Sequence, residues 1–395
     1  MKPALKPPLS EALSLLLPTP EETLLLRVCL WTDERARDAW RQWHNPANGS
    51  GKALLENPTV RKLRPLLFKA VQSHKLDVDK EALTYLRTAY LKEELRSGAY
   101  RRICGEVLLI LEKQGLRPIV LKGAALAETV YPDPVLRHCH DIDLLLPEAE
   151  MCRAARSMES LGFRASGANE AGHFKMVHEL NLPLEFHSRL FEVPHYNVPE
   201  MCLSTVTREI AGVSAQTLNP IYSLLHVCGH AAYSSKRQSL RWVADAWFIV
   251  KRHPELDWDF LLDGISRRRL ALPLSIMLRY MAGSMNAAIP SAFLERLCKA
   301  ASNSRPIERQ LALRGTRSAG QGSLKDLFKR TTNWRDRALL IQWLLFPSPR
   351  YLSWVDQIHR PWILPFHYVY RPLRYLASSL RCKLWSFLRA RNFAC

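Results

Sequence analysis

A chain of 395 residues with 47% hydrophobic and 24% charged side chains has an ordinary globular balance and room for two or three domains, which excludes a wholly disordered or fibrous protein. The formal charge of +19 points to anionic partners, without choosing among a nucleotide, nucleic acid, an acidic polymer and the cytoplasmic face of a membrane. The nine cysteines form no CxxC pair, as in reduced thiols of a cytosolic protein, so neither a structural disulfide nor a zinc–thiolate centre is expected.

Near the N-terminus, Pro3, Pro7, Pro8, Pro18 and Glu11 break the brief apolar stretch after Lys2 and Lys6, which does not read as a signal peptide. No apolar run reaches about 18 residues, so no transmembrane helix is expected. Residues 1–98 read as an N-terminal helical region, interrupted by a polar loop from His44 to Lys52 whose GSGK lacks the spacing of a phosphate-binding P-loop. From Arg101 to Gln114, Cys104, Val107, Leu108 and Leu111 fall at helical spacing, and Gly115 stands where a helix-ending glycine belongs. Pro118 to Leu121 reads as a short buried strand ending at Lys122-Gly123, and Ala124 to Val130 as a helix.

A second strand follows over Asp141 to Leu146. Side chains two apart on a strand share a face and lie roughly 6–7 Å apart, so Asp141 and Asp143 point the same way. Two carboxylates at the start of a buried strand repel each other and are costly to desolvate, a conflict that a shared divalent cation resolves. The alternative is a turn or helix-capping Asp before an ordinary buried strand. Glu148 to Leu161 is helical again with Gly162 as its stop, and residues 182–190 alternate as a third strand with Glu185 and His187 on one face. A glycine turn opening a helix, a strand bearing Asp-x-Asp and a later strand bearing a third carboxylate are the parts of a two-metal phosphoryl-transfer site.

Leu121-Lys122-Gly123, Arg137, Asp141-Ile142-Asp143 and Glu185-Phe186-His187 together resemble the uncharacterised nucleotidyltransferase branch of the polymerase-beta-like nucleotidyltransferases, over roughly residues 100–250. The resemblance implies that Asp141, Asp143 and Glu185 are catalytic and hold two Mg²⁺ (or Mn²⁺) ions. It also implies that a nucleoside triphosphate is bound near Lys122, Gly123, Arg137 and His187, and that a nucleoside monophosphate moves to an acceptor with release of pyrophosphate. Arg137 reads either as a phosphate contact or as a partner of the carboxylate cluster, and His187 as a hydrogen-bonded neighbour of the site or an acceptor-side base. The superfamily's usual Gly-Ser is here Gly123-Ala124, which offers no hydroxyl and leaves Lys122 to substitute as phosphate contact.

Asn219-Pro220 is a good helix start, and the helix that follows carries His226 and His230 at i, i+4, without the glutamate of a zinc-protease motif. In the next helix, over 239–250, Asp245 reads either as site-facing or as an ion-pair partner of Arg241. Arg267-Arg268-Arg269 reads as a solvated basic face, and 303–323 as a connection. From Arg350 onward eight Lys or Arg face one acidic residue, Asp356, and from Leu373 an apolar stripe is ringed by Arg374, Arg381, Lys383, Arg389 and Arg391. Such a segment packs on its own protein, lies on anionic lipid, or, less favoured, binds nucleic acid.

These readings converge on an α+β protein with a small mixed sheet and flanking helices inside a mostly helical chain. The expected regions are an N-terminal helical part (1–98), a catalytic core (99–200), a helical domain completing the cleft (201–330) and a basic aromatic segment (331–395). The expected location is the cytoplasm, peripheral at the inner membrane face. The competing reading keeps the fold without catalysis, for binding nucleic acid or another anionic partner.

Overall fold

The computed structural model describes residues 13–14, 16–44, 58–166, 172–191, 204–233, 240–304 and 361–370, with a few single positions after residue 304. Among the described residues, five helices precede the first strand: α1 (Pro20–Leu30), α2 (Glu34–Trp43), α3 (Pro58–Arg61), α4 (Arg64–His74) and α5 (Lys80–Lys113). Side chains at their starts satisfy N–H groups that lack intrahelical partners. Thr19 and Glu22 form a capping box on α1, and Asp33 and Asp79 accept from the first turns of α2 and α5. The helix expected over 101–114 is the last part of α5, and Gly115 follows it at a φ of 70°.

The sheet is built from β1 (Ile119–Val120), β2 (Ile142–Leu145), β3 (Phe163–Ala165), β4 (His173–His178), β5 (Pro183–His187), β6 (Thr205–Ile210) and β7 (Val213–Leu218), with α6 (Lys122–Thr129) and α7 (Glu148–Glu159) between its early strands. The spatial order is β3-β4-β5-β2-β1-β7-β6. The strands expected near 118–121, 141–146 and 182–190 are β1, β2 and β5. The β3–β4 pair and the β6–β7 hairpin extend the sheet on either side, the hairpin lying where only helix was expected. β2 runs parallel to β5, so that Asp143 stands opposite Glu185, and antiparallel to β1.

After the sheet come α8 (Pro220–Tyr233), α9 (Arg241–Arg252), α10 (Trp258–Arg267), α11 (Ala271–Gly283) and α12 (Ser291–Ser302). The Asn219 side chain accepts from Tyr222 N at 2.8 Å at the start of α8, as the Asn-Pro signal anticipates. The chain is thus α+β, with a mixed sheet set in a mostly helical body.

Two apolar cores sandwich the sheet. On one face Val120, Ile142, Leu144, Leu184 and Phe186 pack with Val107, Leu108 and Leu111 of α5 and with Met151, Ala155 and Met158 of α7. On the other, Leu121, Leu126 and Leu145 join a core shared by the N-terminal helices and the helices after β7. The two helical sets are also bonded directly. Thr23 Oγ1 lies 2.9 Å from the Tyr280 hydroxyl, and Trp31 Nε1 donates to the Met285 carbonyl at 2.9 Å. No helix among the described residues is long and apolar enough to cross a membrane. The basic segment from Leu373 lies outside the described residues.

Candidate active site

Strand alternation decides which side chains reach the cleft. Ile142 and Leu144 are buried beneath α5 and α7, which turns Asp143, only 2% exposed, to the opposite face. β5 repeats the pattern, with Leu184 and Phe186 inward and Glu185 and His187 outward. Asp141, Asp143 and Glu185 consequently each bring a carboxylate oxygen within 4.8 Å of the others.

The charges are answered within the chain. Lys122 Nζ lies 3.5 Å from Asp143 Oδ2, and His187 Nε2 lies 2.8 Å from Asp143 Oδ1. His140 Nε2 reaches Asp141 Oδ2 at 3.0 Å, and Glu185 receives His173 Nε2 at 3.1 Å and Lys175 Nζ at 2.7 Å. Burial works to raise the Asp141 carboxyl, but the His140 hydrogen bond and the charges of His140, Lys122 and Arg241 outweigh it and hold the group well below the usual carboxylate range. Glu185 behaves likewise: burial raises it, and His173 and Lys175 more than reverse the effect. Burial lowers His187, which the Asp143 carboxylate only partly offsets. Three carboxylates therefore converge around a group of donors, the chemistry that fits a hard divalent cation.

Lys122 opens α6 in the left-handed region, at a φ of 42°, an unfavourable conformation for a residue with a Cβ. The Leu121 amide donates to the Asp143 carbonyl at 2.9 Å, tying this turn to β2. Leu121 makes no side-chain cap, so the first N–H groups of α6 are not satisfied by a capping side chain. Gly123 is closely packed: a Cβ there would stand 3.1 Å from Cys139 Sγ, which would have to give by a few tenths of an ångström, and 3.5 Å from Arg137 Nη1. Ala124 is buried in the core beneath the sheet.

Arg137 is engaged by Asp245 of α9. Its Nε donates to Asp245 Oδ1 at 2.7 Å and its Nη2 to Oδ2 at 2.9 Å, and the Tyr131 hydroxyl donates to Oδ1 at 2.7 Å. Both ends of this fork are buried. Arg241, the intrahelical partner anticipated for Asp245, donates to the His138 carbonyl at 3.2 Å and lies 3.3 Å from His140 Nδ1.

His226 and His230 on α8 stand within the electrostatic reach of Lys122 and His187. Burial foremost holds His226 well below its ordinary value, and for His230 the Lys122 charge is the largest cause. His226 Nε2 is buried and finds no hydrogen-bond partner among the described residues.

The structure thus gathers Lys122, Asp141, Asp143, Glu185 and His187 at one place and sets Arg137 beside Gly123 with its guanidinium on Asp245. It adds His140, His173 and Lys175, which sequence reasoning passed over. The alternation of His173 and Lys175 on β4 was the available signal, but its meaning depends on β4 pairing with β5, which puts His173 opposite His187 and Lys175 opposite Glu185.

A family model described as uncharacterised nucleotidyltransferase matches residues 52–286, more than half of the chain. No curated protein and no solved structure matches it.

Proposed function

The chain belongs to the uncharacterised nucleotidyltransferase family, and from that membership and the geometry of the cleft we propose a metal-dependent enzyme that transfers a nucleoside monophosphate from a nucleoside triphosphate to an acceptor hydroxyl. The acceptor oxygen bonds to the α-phosphorus as the bridge to the β-phosphate breaks. Pyrophosphate leaves with the bonding pair, and the hydroxyl proton passes to solvent. The observation that carries this reading is the convergence of Asp141, Asp143 and Glu185 within 4.8 Å.

When bound by these three carboxylates, a pair of Mg²⁺ or Mn²⁺ ions supplies charge compensation to the phosphates and acidity to the acceptor hydroxyl. Lys122 brings an ammonium to the same place and serves as the phosphate contact that the missing hydroxyl at Ala124 does not provide. The uncapped N–H groups at the start of α6 face the phosphates with the positive end of the helix dipole. His187 orients Asp143 through its 2.8 Å hydrogen bond, and the Arg137–Asp245 fork fixes the loop before β2 to the helical body.

The test is incubation of the full chain with labelled nucleoside triphosphates, Mg²⁺ or Mn²⁺ and cell extract. Label should move to an acceptor with wild-type protein and fail to move with a folded Asp143→Asn variant; equal transfer by that variant would overturn the mechanism. We assign the basic segment from Leu373 an accessory part at an anionic membrane, each basic residue contributing on the order of 1 kcal/mol. Deleting residues 373–395 should then abolish binding to anionic vesicles and preserve transfer in solution, and vesicle binding by the truncated chain would remove that assignment.

A further inference from the structure

The acidic triad does not account for every donor in the cleft. Beside it, His173 Nε2, a Glu185 carboxylate oxygen and His187 Nε2 also lie within 4.8 Å of one another. We propose that His173, Glu185 and His187 form a seat for a divalent first-row transition metal ion, so that one side of the cleft selects its ion by imidazole nitrogen and not by oxygen alone. The inference rests on the cleft being a metal site, as proposed above, and names the class of ion that part of it takes.

The backbone prepares this arrangement. His173 on β4 and His187 on β5 are directly paired across antiparallel strands, so both side chains rise from the same face. Their rings stack with centroids 4.7 Å apart and planes within 9° of parallel. His173 Nε2 hydrogen-bonds Glu185 Oε2 at 3.1 Å, and His187 Nε2 lies 3.9 Å from the same oxygen. Lys175 holds the other oxygen, Oε1, at 2.7 Å, which fixes the carboxylate so that Oε2 is presented to the imidazoles. In the metal-free cleft His187 Nε2 lies 2.8 Å from Asp143 Oδ1, a hydrogen bond that an ion at His187 would replace.

An ion with bonds of about 2.1 Å holds neighbouring donors roughly 3.0–3.5 Å apart; His173 and Glu185 already stand 3.1 Å apart, and His187, 3.9 Å from the same oxygen, would close on the ion as it binds. Two imidazoles with a carboxylate suit Mn²⁺, Fe²⁺, Co²⁺, Ni²⁺ or Zn²⁺, whereas Mg²⁺ demands oxygen and water. His173 keeps part of its surface in solvent, its side chain 28% exposed, so an ion has a path in and a coordination position open to substrate or water. Glu185 also belongs to the all-oxygen group with Asp141 and Asp143.

The test uses Mn²⁺ as probe on the full chain, read by pulsed electron paramagnetic resonance, which detects nitrogen bonded to the ion without requiring turnover. Nitrogen coupling is expected in the wild-type protein. His173→Gln should weaken it and lower Mn²⁺ affinity at this site at least tenfold, with Mn²⁺ still bound at the carboxylates; His187→Gln is the second variant, and circular dichroism checks the fold of each. Because the wild-type spectrum is decisive alone, loss of folding in either variant leaves the proposal exposed to refutation. Bound Mn²⁺ without nitrogen coupling would overturn this inference and leave the all-oxygen reading standing. Failure to bind Mn²⁺ at all, with or without nucleoside triphosphate, would overturn both.

Discussion

Asp245→Ala is expected to destabilise the folded chain by about 3–5 kcal/mol, the cost of leaving a buried charge without its counter-ion. Asp245 accepts from Arg137 Nε at 2.7 Å, from Arg137 Nη2 at 2.9 Å and from the Tyr131 hydroxyl at 2.7 Å, and the two charged side chains are only 7% and 6% exposed. Hydrogen bonds to charged groups contribute about 1.5–3 kcal/mol each, so three of them set an upper limit above the expected loss. The loss falls short of that limit because Arg137 Nη1 keeps the His138 carbonyl at 2.6 Å and water refills the space left by the carboxylate. In a cooperative unit of about 150–250 residues a loss of about 4 kcal/mol lowers Tm by roughly 8–16 °C, and less in a larger one. Urea and thermal unfolding followed by circular dichroism measure it. Replacing the whole cluster by Arg137→Met, Tyr131→Phe and Asp245→Leu should recover most of the stability, since apolar packing substitutes well for a buried pair. A change below about 1 kcal/mol in Asp245→Ala would refute the reasoning, showing that Arg137 readily finds another partner or solvent.

Gly123→Val should cost about 1–3 kcal/mol through overpacking against Cys139 and Arg137, whose atoms stand 3.1 and 3.5 Å from the added Cβ. Wild-type stability in a denaturant titration would show that the loop yields. His226 gives a pH dependence of definite sign. Burial and Lys122 keep the folded-state imidazole neutral, while the unfolded chain takes up its proton below about pH 6.5, so stability should fall as pH drops from 7 toward 5, by up to about 1.4 kcal/mol per unit for one proton. His226→Leu should flatten that slope, and parallel wild-type and variant curves would dismiss His226 as its source.

The parts of the fold that were legible in the sequence are those with local signals. β2 declares itself by an apolar run, α8 by Asn219-Pro220, and α5 by its stripe and Gly115. The β6–β7 hairpin was not legible because TVTREI is mostly exposed and carries little apolar alternation; its strand character comes from pairing with β7, and β7 from pairing with β1. The acidic cluster was readable for a related reason: Asp141 and Asp143 are two residues apart, and Glu185 lies on a strand with its own alternation. What escaped depends on register and tertiary contact. Arg137 and Asp245 are 108 residues apart, and the i, i+4 spacing of Arg241 and Asp245 offered a plausible but different partner. The sequence argument that paired carboxylates demand a metal was also incomplete, since Lys122, Lys175 and three histidines already stand against them.

That cationic surround gives Lys122 two separable roles, one in the backbone and one in the ammonium. A residue with a Cβ at a φ of 42° costs about 1–2 kcal/mol relative to a relaxed conformation, a cost glycine escapes. The ammonium, 3.5 Å from Asp143 Oδ2, offsets repulsion among the three carboxylates, and in the proposed mechanism it contacts phosphate. Lys122→Ala removes the charge and keeps the strained backbone, while Lys122→Gly removes both. The glycine variant should therefore be more stable than the alanine variant by about 1 kcal/mol in the metal-free state, and Mg²⁺ should stabilise both variants more than wild type because it replaces the lost positive charge. Nucleotide requirement should rise equally in the two, since both lose the ammonium and keep the N–H groups at the start of α6. Equal stability of the two variants would show that the turn relaxes, and an unaltered nucleotide requirement in both would remove Lys122 from phosphate binding whatever the backbone does.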